Sequence, residues 1–210
     1  GMLTGLDGGL YMLDRGFVKD DADQVSEGLD IVKMMVGRIK NMVLDILYYA
    51  KERDLEKAPC PVKAFAEETA SIVQSRVADA QLDLACDFSA VPETSVFTID
   101  SDQLRSALVN ILENAVDACL EKGDAVPPQI QFRVYPEDAD LVFEIQDNGI
   151  GMPSEVQDRI FTLFFSSKAT QGTGIGLFIT QKIIHQHGGQ ISVTSQPGEG
   201  TLFRITIPRD

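Results

Sequence analysis

Tryptophan is absent, histidine occurs twice and cysteine three times, and basic residues are outnumbered, 18 Lys and Arg against 32 Asp and Glu. The resulting net charge of -14 excludes a nucleic-acid surface, because neutralising phosphates requires clustered cations. It leaves nucleotides open, since backbone N–H groups and a cation can hold them instead. Cys60, Cys86 and Cys119 are odd in number and widely spaced, with no Cys-x-x-Cys pair. Neither a zinc site nor a disulfide framework fits that pattern, and structural thiols in a reducing cytoplasm do. No apolar run reaches the ~18–20 residues of a membrane span and no signal-peptide pattern occurs, so no direct membrane contact is expected. The Gly1-Met2 start fits a tag scar and a chain cut from something longer, the cytoplasmic part of a larger protein. What is present is ample apolar material, 44% of 210 residues, enough for one domain plus a helical appendage.

Met2, Leu3, Leu6, Leu10 and Leu13 are spaced for a helix over 2–17, weakened by Gly5, Gly8 and Gly9. The polar stretch Lys19-Asp-Asp-Ala-Asp23 supplies a turn and an N-cap. Val25, Leu29, Val32, Val36, Ile39, Val43, Ile46 and Ala50 then recur in steps of four and three. That is a heptad seam on a helix expected to reach Arg53. Met34, Met35, Met42, Leu47 and Tyr48 widen the apolar surface beyond one seam. A dimer forming a four-helix bundle would cover both faces, and a coiled pair packed on the rest of the chain is the alternative.

Pro59 and Pro61 bracket a break read as a hinge. Beyond it, helices are predicted over 62–80, from Asp100 or Ser101 to Leu120, and over 174–187. Strands are predicted over 82–88, 96–99, 129–135, 141–146, 190–195 and 201–207. Residues 148–173 are Gly- and Ser-rich and long for a connection, which points to a lid. The sum is an α+β fold, an antiparallel helical hairpin followed by a sandwich of a mixed sheet with helices on one face.

Four motifs carry chemistry. Asn110-Ile-Leu-Glu-Asn114-Ala-Val-Asp117 sets two carboxamides and a carboxylate on one helix face at i, i+4 and i+7. Such oxygens suit Mg²⁺, although a solvated helix face has the same composition. Asp147-Asn-Gly149-Ile-Gly151 follows a predicted strand. A buried carboxylate there can accept from an exocyclic amine, but Asp-Asn-Gly is also an ordinary turn. Gly172-Thr173-Gly174-Ile175-Gly176-Leu177 opens a helix whose N–H groups and dipole favour phosphate. It is neither a P-loop nor a dinucleotide fingerprint. Gly198-Glu-Gly200-Thr201 completes the set.

In this order and spacing the motifs resemble the N, G1, G2 and C-terminal glycine boxes of sensor histidine kinases. That superfamily also holds gyrase-type and heat-shock-chaperone ATPases, which share the Bergerat ATP-binding fold. Ile160-Phe-Thr-Leu-Phe164-Phe-Ser-Ser-Lys168 is similar to the F box of the kinases, and the match spans roughly 62–208. The resemblance implies ATP and Mg²⁺ as cofactors, with Asn114 as metal ligand and Asn110 nearby on metal or phosphate. It implies Asp147 on the adenine amine, with Thr201 assisting through a water. Gly149 and Gly151 would shape the base pocket, Gly174 and Gly176 would hold phosphates, and Phe161 and Phe164 would anchor the lid. Lys168 is a candidate γ-phosphate contact or a solvated lid lysine. The ATPases place a Glu general base where Asn110 stands; an amide cannot take a proton, which turns the reading from hydrolysis toward phosphoryl transfer.

The family's acceptor histidine opens a box on the first dimerisation helix, and Gly1-Met-Leu-Thr-Gly-Leu6 resembles that box's tail. The acceptor is then expected four residues before Gly1, and His185 and His187 are read as structural. The expected organisation is a dimerisation hairpin over 1–57 and an ATP-binding domain over 58–210. The expected partners are a second copy of the chain and a response-regulator receiver domain. A nucleotide-binding scaffold, pseudokinase or phosphatase without its own acceptor is the alternative, and an ATPase or anti-sigma-type Ser/Thr kinase a third.

Overall fold

The structure is a computed structural model that describes residues 2–50, 54–123, 127–166 and 174–209. The chain divides into two compact units, residues 1–52 with 162–175, and residues 53–161 with 176–210.

The first unit is built on two helices, α1 (Met2–Lys19) and α2 (Ala22–Ala50). Asp20 takes a positive φ of 57° in the turn, and the Asp21 carboxylate accepts from Gln24 N at 3.0 Å, capping α2. Of the glycines that weaken α1 as an isolated helix, Gly8 has nothing within 4 Å of where a Cβ would stand, whereas Gly9 has a packing reason. A Cβ on Gly9 would lie 2.9 Å from Ile31 and 3.2 Å from the Gly28 carbonyl. One on Gly28 would lie 2.8 Å from Leu13 N. The helices therefore approach through glycine at both Gly9 and Gly28, closer than any side chain allows. The heptad seam divides in two. Val25, Val32 and Ile39 are half-buried, and Met35 is buried. Leu29, Val36 and Val43 are exposed at 41%, 53% and 48%. The expected helix residues 51–53 lie outside the described residues.

The second unit carries a five-stranded mixed sheet. Its strands are β2 (Asp83–Asp87), β4 (Gln129–Glu137), β5 (Asp140–Asp147), β7 (Gly200–Pro208) and β6 (Gln190–Gln196), in that spatial order. β2 runs parallel to β4 and the other pairs are antiparallel. Alternation selects the face: Leu141, Phe143 and Ile145 of β5 and Phe203, Ile205 and Ile207 of β7 are all buried. Their counterparts on α3 (Val62–Asp79), α4 (Ser101–Lys122) and α6 (Gly176–Gln186) are Phe65, Leu104, Leu108, Ile111, Leu112, Ile183 and Ile184. Phe65 meets Phe97 edge-on at 5.4 Å between centroids and Phe143 at 6.3 Å, the favoured arrangement of aromatic quadrupoles.

Two readings of the sequence are corrected. The segment taken for a hinge is a strand, β1 (Ala58–Pro61), paired antiparallel with β3 (Val96–Ile99). In a two-stranded ribbon each strand has one open edge, where a proline's missing N–H costs nothing. The long connection 148–173 contains a short helix, α5 (Ser154–Gln157).

Candidate functional site

α4 sets the frame. Asp100 is its N-cap, accepting from Gln103 N at 3.1 Å and from Glu56 N at 3.1 Å. Burial pushes the Asp100 carboxyl up, but the donors from Gln103 and Glu56 outweigh it and hold the group below its ordinary range. The backbone N–H of Asp100 donates to Nε2 of His187 at 3.1 Å, and Nδ1 of that ring lies 2.8 Å from the Ile183 carbonyl. His187 is thus a neutral tautomer with Nδ1–H donating, and it joins the end of α6 to the start of α4. Burial lowers its pKa, a shift that Lys57 reinforces and that the Ile183 bond and the Asp100 charge oppose.

Along α4, Asn110 and Asn114 are half-buried. The Asn110 amide donates to Thr180 Oγ1 at 3.0 Å. Its Oδ1 lies where a Cβ on Gly176 would come within 2.6 Å, so a larger residue there would push the Asn110 amide aside. Asp117, one turn beyond Asn114, is engaged by Arg76 of α3, which also lies 3.8 Å from Glu113.

The Asp147 turn is braced on the far end of α4. Asp147 is 4% exposed at the end of β5, and its Oδ1 accepts from Gly149 N at 2.8 Å. Ile150 N donates to the Ala118 carbonyl at 3.1 Å, and Gly149 lies against Ala118. Asn148 braces the other side: its Oδ1 accepts from Gln129 N at 2.9 Å and its Nδ2 donates to the Pro127 carbonyl at 2.9 Å. Gly151 has φ +64°, and a Cβ there would sit 1.9 Å from the Gln196 carbonyl. The position admits only glycine.

Register brings the last motif beside this turn. Asp147 pairs with Thr201 across β5–β7, and Thr201 pairs with Ser195 across β7–β6. These three polar residues extend the buried rows of the sheet, with Thr201 5% exposed. Ser195 Oγ lies 2.9 Å from Thr201 Oγ1, accepts from Met152 N at 2.8 Å and donates to the Gly200 carbonyl at 2.8 Å. Cys119 is buried nearby on α4, and desolvation and the Asp147 charge push its thiol up to about 11.

Of the remaining expected residues, Leu177 is half-buried in the first turn of α6 and Phe161 is half-buried. In the other unit Phe164 is 55% exposed with φ +65°, Gly174 has φ +69°, and Ile175 is buried. Lys168, Gly172 and Thr173 lie outside the described residues. Three participants went unread in the sequence: Thr180, Asn148 and Ser195. Asn148 lies inside a motif that already signalled a turn, whereas Thr180 and Ser195 meet their partners only across helix packing and strand register.

No helix among the described residues is long and apolar enough to cross a membrane. Residues 99–210 match the family model described as histidine kinase-, DNA gyrase B- and HSP90-like ATPase. The signal transduction histidine-protein kinase AtoS of Escherichia coli (strain K12) is 33% identical over 92% of this chain and 32% of its own length. The chain spans a third or less of the length of the first curated relatives it matches. Among solved structures, histidine kinase ThkA in complex with response regulator protein TrrA superposes with TM-score 0.75. That match has 22% identity and covers 98% of this chain and 59% of that one. Full-length ShkA in complex with AMPPNP gives TM-score 0.71 at 23% identity, covering 89% of this chain and 39% of that one. The match over 99–210 takes in more than half of the 210 residues, and the chain belongs to the histidine kinase-, DNA gyrase B- and HSP90-like ATPase family.

Proposed function

We propose that this chain is the dimerisation and ATP-binding core of a sensor histidine kinase. In this reading residues 1–57 form the dimerisation hairpin and 58–210 the ATP-binding domain. The γ-phosphoryl of ATP passes to a histidine that the resemblance puts four residues before Gly1, and from there to a response-regulator aspartate. The curated relatives named as histidine kinases support the class. The observation that carries the kinase over the ATPase is Asn110. At the position where the family's ATPases have a Glu base, this chain has a carboxamide tied to Thr180 in the second turn of α6. An amide cannot activate water, so the site is built to position a phosphoryl group rather than to hydrolyse it.

The donor set fits Mg-ATP. Among the described residues no group of three His, Cys, Asp or Glu could hold a metal by itself. In this reading the cation takes most of its oxygens from phosphates and water, as Mg²⁺ does, and the half-buried Asn114 amide supplies a protein oxygen. Bound Mg-ATP supplies the transferable phosphoryl group and the charge that neutralises it. Asp147 orients the base through its exocyclic amine, Thr201 closes that end of the pocket, and Gly149 and Gly151 let the backbone approach the ring. Gly176 opens the first turn of α6, whose N–H groups face anionic ligands favourably.

His187 supports an acceptor outside these 210 residues, because both its ring nitrogens are engaged in joining α6 to α4. Incubated alone with γ-labelled ATP, the 210 residues should form no acid-labile phosphohistidine. A chain extended upstream should label and pass the phosphoryl to a receiver domain. Label on His185 or His187, or an extended chain that binds ATP and stays unlabelled, would overturn the proposal.

A further inference from the structure

We infer that Ser195 is the positioning residue that makes the base pocket select a 6-aminopurine over a 6-oxopurine, by fixing Thr201 as a hydrogen-bond acceptor. The inference rests on the adenine-pocket reading of Asp147 and Thr201. Proton counting carries it. A carbonyl only accepts, so Ser195 must give its single hydroxyl proton to Gly200 O, 2.8 Å away. A backbone N–H only donates, so Met152 N, 2.8 Å away, fills one lone pair of Ser195. The contact left is Thr201 Oγ1 at 2.9 Å. Ser195 has no proton left for it, so Thr201 donates there. The only proton on the Thr201 hydroxyl is thereby directed at β6, and what remains on that oxygen is lone pairs.

The consequence is a pocket end of one polarity. Thr201 and Asp147 are paired positions on adjacent strands, and an ionised carboxylate is likewise acceptor-only. A carboxylate alone does not choose between purines, because it accepts from the amine of adenine or from N1–H of a 6-oxopurine. A water shared between Asp147 and Thr201 spends both protons on these two acceptors and keeps only lone pairs for the base. It therefore welcomes a 6-amino group and opposes a 6-oxo group. Were Thr201 free to rotate, it could donate to that water, release one of the water's protons, and the 6-oxo base would be satisfied equally well. Ser195 prevents this without touching the nucleotide.

The test is the ratio of affinities for ATP and inosine triphosphate, which differ at C6, measured by calorimetry on the 210-residue chain with Mg²⁺. Ser195→Ala should cut the preference for ATP about tenfold, the scale of one mismatched hydrogen bond, mainly by improving inosine triphosphate binding. Ser195→Thr, which keeps the hydroxyl, should retain the wild-type ratio. A structural role alone would weaken both nucleotides equally. An unchanged ratio in Ser195→Ala, with the wild-type preference intact, would therefore overturn the inference and leave the adenine pocket standing. If the wild-type chain shows no preference, the adenine pocket and the inference fall together. Should Ser195→Ala not fold, Ser195→Cys, whose sulfur is a weak acceptor of nearly the same shape, is read by the same ratio.

Discussion

Asp147 combines two demands that separate mutants can distinguish. One oxygen accepts from Gly149 N within the turn, and the proposed base contact uses the carboxylate as an acceptor for an amine. Asp147→Asn keeps a carbonyl oxygen for Gly149 but introduces an NH2 donor facing the base. ATP affinity should fall roughly ten- to a hundredfold, the weight of a hydrogen bond to a charged group, while the melting temperature moves little. Calorimetric titration beside a thermal melt checks this, and unaltered ATP affinity would remove the adenine role. Asp117 shows the limit of reading side chains one at a time. Its position on the Asn110 face is visible in the sequence, but its engagement by Arg76 arises from the packing of α3 on α4.

At the scale of elements, the junction of α4 and α6 is held by an imidazole that works only when neutral. Burial lowers the His187 pKa in the fold, so the unfolded chain binds a proton there at higher pH than the folded one does. The unfolded state then holds more protons as pH falls below the ordinary histidine range of about 6.5. Stability from this site is complete above that value and declines as pH drops toward the lowered folded value. Asp100 acts in the same sense but only in stronger acid, because its folded pKa is depressed below the ordinary carboxylate range. Thermal melts between neutral pH and the mildly acidic range should thus show a falling midpoint. His187→Leu should flatten that slope and cost about 1–3 kcal/mol throughout, by leaving the buried Asp100 N–H unpaired. An unflattened slope would assign the acid sensitivity elsewhere. Elements were largely legible in advance, since β3 has the predicted bounds and α6, β5 and β7 differ by a residue or two. β1 escaped because two prolines in four residues outweigh any strand signal unless the partner strand is known.

For the whole molecule, the hairpin poses the question of a second copy. Val25, Val32 and Ile39 are turned inward while Leu29, Val36 and Val43 remain exposed. This is the half-covered seam a four-helix bundle would complete. Val36→Glu should leave the helix content unchanged and weaken dimerisation about a hundredfold or more, since a twofold interface counts the lost apolar contact twice. Sedimentation equilibrium on both chains decides it; equal mass would mean the exposed row is not the interface.

What the sequence determined alone were properties written locally: the periods of the helices and strands, the glycine motifs, the acidic surface and the carboxamide at Asn110. Each depends on the order of nearby residues, so spacing and composition suffice to expose it. The tertiary structure alone decided which groups meet across long separations. Register set Asp147, Thr201 and Ser195 in one row, helix packing placed Thr180 on Asn110, and His187 reached the cap of α4 from 87 residues away. The polarity of the Thr201 hydroxyl belongs to this second kind, because its proton has a direction only once Ser195, the Met152 N–H and the Gly200 carbonyl are all in place.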